Sequence, residues 1–159
     1  MRPGVSRRVV LLVLACALGG VVIFGGLVWR AVAIERADAR QASDAFTAAR
    51  AALGPGTPLL DVDDQGQVTR REQASDRTPL PISRVKAMTY RADLGRIVRA
   101  DAPLWFLKLK GPAARLALRD TGVDLERLGI TPADLERYGP RTVIDHTGSR
   151  GTRLLVWTE

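Results

Sequence analysis

His146 is the only histidine of the 159-residue chain and Cys16 its only cysteine. Those two counts limit the chemistry at once. A zinc site made from several imidazoles has no ligand set, and no thiol nucleophile exists outside the apolar run that holds Cys16. His146 follows Asp145 and precedes Ser149, the three residue types of a nucleophile, base and orienting carboxylate. Neighbours on a strand point to opposite faces, however, so Asp145 does not orient His146. The residues read as a hairpin histidine at the surface, with no catalytic residue and no enzyme. No GxGxxG, phosphate-binding or GxSxG motif is present, and no cofactor is expected.

One stretch resembles a metal loop. Asp61-Val62-Asp63-Asp64-Gln65-Gly66-Gln67-Val68-Thr69-Arg70-Arg71-Glu72 matches the residue types of an EF-hand calcium loop at positions 1, 3, 6, 8 and 12. Position 5 is Gln, Gly54–Pro58 stands where the entering helix belongs, and Arg70-Arg71 bring positive charge beside the cation. The better reading is a polar hairpin turning at Gly66, with no metal ligand.

Charge gives the remaining signal. Lys and Arg total 24 against 17 Asp and Glu, a net of +7. Residues 68–120 carry 12 basic against 5 acidic residues, with Tyr90, Trp105 and Phe106 among them. Arg84, Lys86, Met88 and Tyr90 share one strand face, and Arg91, Arg96 and Arg99 are near in sequence. Arg84, Lys86, Arg91, Arg96 and Arg99 therefore form a candidate polyanion-binding set, with anionic lipid favoured over nucleic acid. The plainer alternative is a solvated basic surface.

The elements that carry these residues begin with residues 9–29, VVLLVLACALGGVVIFGGLVW, twenty-one residues without a charge. As a helix this run is about 31 Å long, the thickness of the hydrocarbon core of a bilayer. The basic head 1–8 with Arg2, Arg7 and Arg8 precedes it, and Trp29 and Arg30 close it at the expected headgroup level. Ser6–Leu11 resembles a twin-arginine signal, Ala31-Val32-Ala33 an A-x-A cleavage site and Val13–Cys16 a lipoprotein box. The run is longer than the apolar core of a cleaved signal, so a retained single-pass anchor in the cell membrane is the expectation. The basic head favours an inside N-terminus and an extracytoplasmic C-terminal part.

Residues 30–53 hold ten alanines and no Gly or Pro, which predicts a stalk helix continuing from the membrane. Ala42, Ala45, Phe46, Ala49 and Leu53 fall on one narrow face. In the span, Ala15, Gly19 and Gly26 lie on one small-residue face, with Cys16 and Gly20 beside it. Small residues let helices approach closely in lipid, so span and stalk offer a contact for a homodimer or another membrane-protein partner, and the plainer alternative is a solvated stalk helix that needs no partner. Gly54–Pro58 stops the helix, and 54–81 reads as a Gly/Pro-rich loop, hairpin and linker.

A small domain is expected over 82–159. Val85 to Ala92 and Arg96 to Ala100 read as strands around Asp93-Leu94-Gly95. Asp101 reads as the cap of a helix with Pro103 in its first turn, although Trp105 to Lys110 also alternates like a strand. Leu104, Leu107, Gly111, Ala114 and Leu118 space helically, with a break at Gly111-Pro112. Asp124–Gly129 and Asp134–Gly139 repeat one pattern, each a short helix closed by glycine, and Thr131 caps the second. Thr142 to Thr147 and Thr152 to Glu159 form a hairpin, and the two-sided apolar run Leu154 to Trp157 predicts a central strand.

The strand pair, the proline-led helix VRADAPLWFLKL, the turn VDLERLG and the closing TRLLVWTE resemble a small C-terminal module of bacterial SHOCT-like proteins, over roughly residues 84–159. The resemblance implies a fold and no activity. The expected class is α+β: a transmembrane helix and stalk, then two antiparallel strand pairs with a helical middle. The expected function is a non-enzymatic, membrane-anchored scaffold or regulatory subunit. The alternatives are a lipid- or polyanion-binding module at the membrane surface, or a secretion or pilus assembly component.

Overall fold

The computed structural model describes residues 32–65, 67–71, 81–108 and 128–159. The span 9–29, with Ala15, Cys16, Gly19 and Gly26, lies outside them, as do Gly66, Gly111, Ala114, Leu118 and residues 124–127 of the first of the two repeated helices. Among the described residues no helix is long and apolar enough to cross a membrane.

The described chain is mixed α+β. In order it forms β1 (Val32–Arg36), α1 (Ala39–Leu53), β2 (Leu60–Val62), β3 (Val68–Arg71), β4 (Arg84–Arg91), β5 (Arg96–Pro103), α2 (Leu104–Lys108), α3 (Pro132–Tyr138), β6 (Thr142–Thr147) and β7 (Arg153–Thr158). All seven strands join one sheet in the order β1-β5-β4-β7-β6-β2-β3. Every neighbouring pair is antiparallel except β2 and β6, which meet in parallel at Leu60 and Ile144. β7 is the middle strand, as its apolar run predicts.

Three expectations are corrected here. Residues 30–53 are not one stalk helix. Val32–Arg36 pairs with β5, from Val32 opposite Ala100 to Arg36 opposite Arg96, and the helix begins only at Ala39. Asp38 starts it with a capping box: its carboxylate accepts from the Gln41 N–H, and the Gln41 side chain accepts from the Asp38 N–H. The alanine content favours helix throughout 30–53, but the edge of β5 recruits Val32 and Ile34 and overrides that local preference.

The face Ala42, Ala45, Phe46, Ala49 and Leu53 is real, but it packs on the sheet. Ala42 and Phe46 are fully buried among Met88, Tyr90, Ile97 and Leu155, with Ala45, Ala49, Leu53 and Trp157 around them. That face is therefore occupied within the chain and does not serve a second copy. The sheet accordingly takes in residues from Val32 rather than from residue 82, and the two expected antiparallel pairs, β4–β5 and β6–β7, both form within one seven-stranded sheet.

The third correction is Asp101, which caps no helix. β5 continues through it to Pro103, held by β4 with Arg84 opposite Pro103, and α2 begins at Leu104. α3 follows its prediction: the Thr131 hydroxyl accepts from the Asp134 N–H, and the Asp134 carboxylate accepts from the Thr131 N–H. Gly139 closes it at φ 71°. On the sheet face opposite α1, Val85, Ala87, Val98, Ala100, Ala102 and Val156 are buried as well.

Candidate functional site

The hairpin expected around Asp61–Glu72 forms, with Asp61 opposite Arg70 and Val62 opposite Val68. Its acidic residues are used locally. One oxygen of Asp63 accepts the N–H groups of Gln65 at 2.9 Å and Gln67 at 2.8 Å, an Asx-type turn. Asp64 reaches across to the β6–β7 turn. It accepts the Ser149 hydroxyl at 2.5 Å and the Ser149 N–H at 3.2 Å, and lies 3.2 Å from His146 Nε2. Among the described residues, no group of three or more His, Cys, Asp or Glu side chains is placed to hold a metal.

The carboxylate beside His146 is thus Asp64, not Asp145. Asp145 points to the other side of the sheet, where Arg50 of α1 holds it through Nε at 2.7 Å and Nη2 at 2.5 Å. His146 and Ser149 both address the one Asp64 carboxylate, so the serine proton is committed to Asp64 rather than to the imidazole. The arrangement is a polar staple between two turns and lacks the relay order of a nucleophile and its base. The Ser149 bonds, and then His146, hold the Asp64 carboxyl below the ordinary aspartate value. Gly148 makes room: a Cβ there would stand 3.0 Å from Asp64 Oδ1 and 3.4 Å from His146 Nε2. Nothing local in the sequence marks Asp64, whose partner lies 85 residues away.

The five basic residues do not form one patch. Register and alternation put Arg84, Lys86 and Arg99 on the α1 face, and Arg91 opposite Arg96 on the other face at the β4–β5 turn. Four of them meet carboxylates. Arg84 Nε donates to Asp101 at 2.6 Å, Lys86 Nζ to Glu159 at 2.6 Å, Arg91 Nη2 to Asp93 at 2.7 Å, and Arg99 pairs with Glu35. The fifth, Arg96, has a buried Nε without a hydrogen-bond partner among the described residues. Glu159 also accepts Trp157 Nε1 at 2.9 Å, and Lys86 followed by Trp157 holds its carboxyl below the ordinary value. A phosphate arriving at Arg84, Lys86 or Arg99 would compete with a carboxylate already in place. This face is a ladder of alternating charge.

Exposed apolar side chains are a separate feature. Ile34, Leu94 and Trp105 are 55%, 46% and 52% exposed. Trp105 projects from α2 between buried Leu104 and Phe106, its ring edge-on to Phe106 at 5.9 Å between centroids. Leu94 sits at the other end of the sheet, in the turn between β4 and β5. No protein-family model, curated protein or solved structure matches the chain.

Proposed function

We propose that the chain is a non-enzymatic, single-pass membrane protein that displays a mixed α+β domain as a scaffold or regulatory subunit. The observation that carries the reading is the uncharged run 9–29, long enough for a bilayer and followed after two residues by the first strand of the sheet. The Arg50–Asp145 clamp and the Asp64 staple support it: the polar side chains that resembled chemistry in the sequence hold elements together instead. The carboxylate partners of Arg84, Lys86 and Arg99 favour the scaffold over a polyanion-binding module. The same reading takes residues 84–159, with the order β4, β5, α2, α3, β6, β7, as similar to the SHOCT-like module, which brings no activity with it.

Fractionation tests the proposal. The full chain is expected to stay with membranes through alkaline carbonate, and a reporter fused after Glu159 is expected to be active outside the cytoplasm. Release by carbonate refutes the anchor, and activity only in the cytoplasm reverses the orientation.

A further inference from the structure

Val32, where the described chain begins, pairs with Ala100, so β1 starts at the end of the sheet where β5 finishes. Three residues of β5 continue beyond that pair to Pro103, and α2 follows without a break. The same end holds the start of β4, with the Leu104 N–H donating to Ser83 O at 2.8 Å, and the finish of β7, with Thr158 opposite Val85. Among the described residues, Trp105, half exposed, is the large apolar side chain left uncovered there. Leu94, of similar exposure, lies at the far end of β4 and β5, a strand length of about 23 Å away.

We propose that this end of the sheet rests on lipid headgroups, with Trp105 as its anchor. The proposal rests on the membrane reading above and names the surface through which the domain would meet the bilayer. The chain outside the described residues supplies the reason for lipid: it carries the uncharged run 9–29 and joins the domain at Val32. Val32 follows Trp29 by three residues, which span at most about 11 Å, so a run 9–29 anchored in a bilayer keeps Val32 within reach of the headgroup layer. An indole ring has an apolar body and one N–H donor, and it is the side chain that settles at that layer. The charge-paired strands need take no part.

The test uses the full chain, with Cys16→Ser, in phosphatidylcholine–phosphatidylglycerol vesicles. Either Trp105→Cys or Leu94→Cys carries an environment-sensitive fluorophore; both positions are exposed, so neither replacement empties the core. Lipids bearing a nitroxide at the headgroup are expected to quench the label at 105 and leave the label at 94 bright. Equal quenching at the two positions, or a label at 105 reached only by a soluble quencher, overturns the proposal, and the second result points to a protein partner or open solvent. Recovery in carbonate-resistant vesicles is scored on the same samples. A chain that fails to sediment sinks the anchor itself, whereas one that sediments with position 105 unquenched sinks only the lipid contact.

Discussion

Arg50 of α1 and Asp145 of β6 meet through two parallel hydrogen bonds, although 95 residues separate them in the chain. Arg50 also lies over the Phe46 ring, 6.0 Å from its centroid. The pair joins the helix to the fifth strand of the sheet, beyond the apolar contacts of Ala42 and Phe46. Asp145 raises the pKa of Arg50 above its ordinary value, chiefly through the hydrogen bonds. A helix that reads as a free stalk in the sequence is thus both packed and clamped.

The clamp predicts an asymmetry. Asp145 is the more covered partner, with 24% of its side chain exposed against 39% for Arg50. Removing the arginine leaves a mostly buried carboxylate unpaired, while removing the carboxylate leaves a guanidinium that water reaches. Arg50→Met is expected to lose about 1–2 kcal/mol and Asp145→Asn about 1 kcal/mol or less. Phe46→Ala should lose about 3–5 kcal/mol, because it opens a cavity under the helix. Urea unfolding of the detergent-solubilised chain measures all three. A Phe46→Ala variant as stable as wild type would mean that α1 is not packed on the sheet.

What the sequence made legible was what neighbours in sequence decide. The hairpin β6–β7, the Thr131 capping box, Gly139 and the central place of β7 all follow from local patterns, and so does the apolar face of α1. What covers that face did not follow, because Met88, Tyr90, Ile97 and Leu155 come from three strands distant in the chain. β1 was illegible for a related reason: its strand character depends on the free edge of β5. One signal was present and unused. Asp38 and Gln41 form a D-x-x-Q capping box that marks the helix start inside the alanine-rich stretch. In the candidate site, alternation correctly separated Asp145 from His146, but finding Asp64 needs the fold.

The Asp64 staple predicts a steric dependence on residue 148. Gly148→Ala would push a methyl group toward Asp64 Oδ1, so either the Asp64–Ser149 bonds or the turn must yield. A modest loss of stability is expected. Gly148→Ala and Asp64→Ala share one interaction, so the double variant should lose less than the sum of the two. Strict additivity in a denaturation cycle would show that the methyl group disturbs something other than the staple.

The staple also sets a direction with pH. Ser149 first, and His146 after it, lower the folded-state pKa of Asp64, so its contribution is present above the ordinary aspartate value. It fades as the pH falls below about 4 and through the lowered value. Melting temperatures should therefore fall less steeply on acidification below pH 4 in Asp64→Asn than in wild type, with the variant the less stable near neutrality. Parallel acid limbs in the two proteins would remove Asp64 from the acid response.

The last prediction concerns self-association. The sequence offers two faces for it, Ala15, Gly19 and Gly26 in the uncharged run and Ala42, Ala45 and Ala49 in the alanine-rich stretch. The second is occupied, since Ala42 is fully buried against the sheet and Ala45 and Ala49 pack around the same cluster. Of the two, the first stays open to a second copy, and small residues there permit close backbone approach in lipid. Cys16 adjoins that face and reports on it directly. Oxidation in membranes is expected to give a Cys16–Cys16 dimer that Gly19→Leu suppresses. Ala48→Leu, on the exposed side of α1, should leave it unchanged. A wild-type chain that stays monomeric while a known dimeric span crosslinks in the same membranes would rule out pairing through this face. Crosslinking that survives Gly19→Leu but is lost in Ala48→Leu would instead place the contact on the outer side of α1.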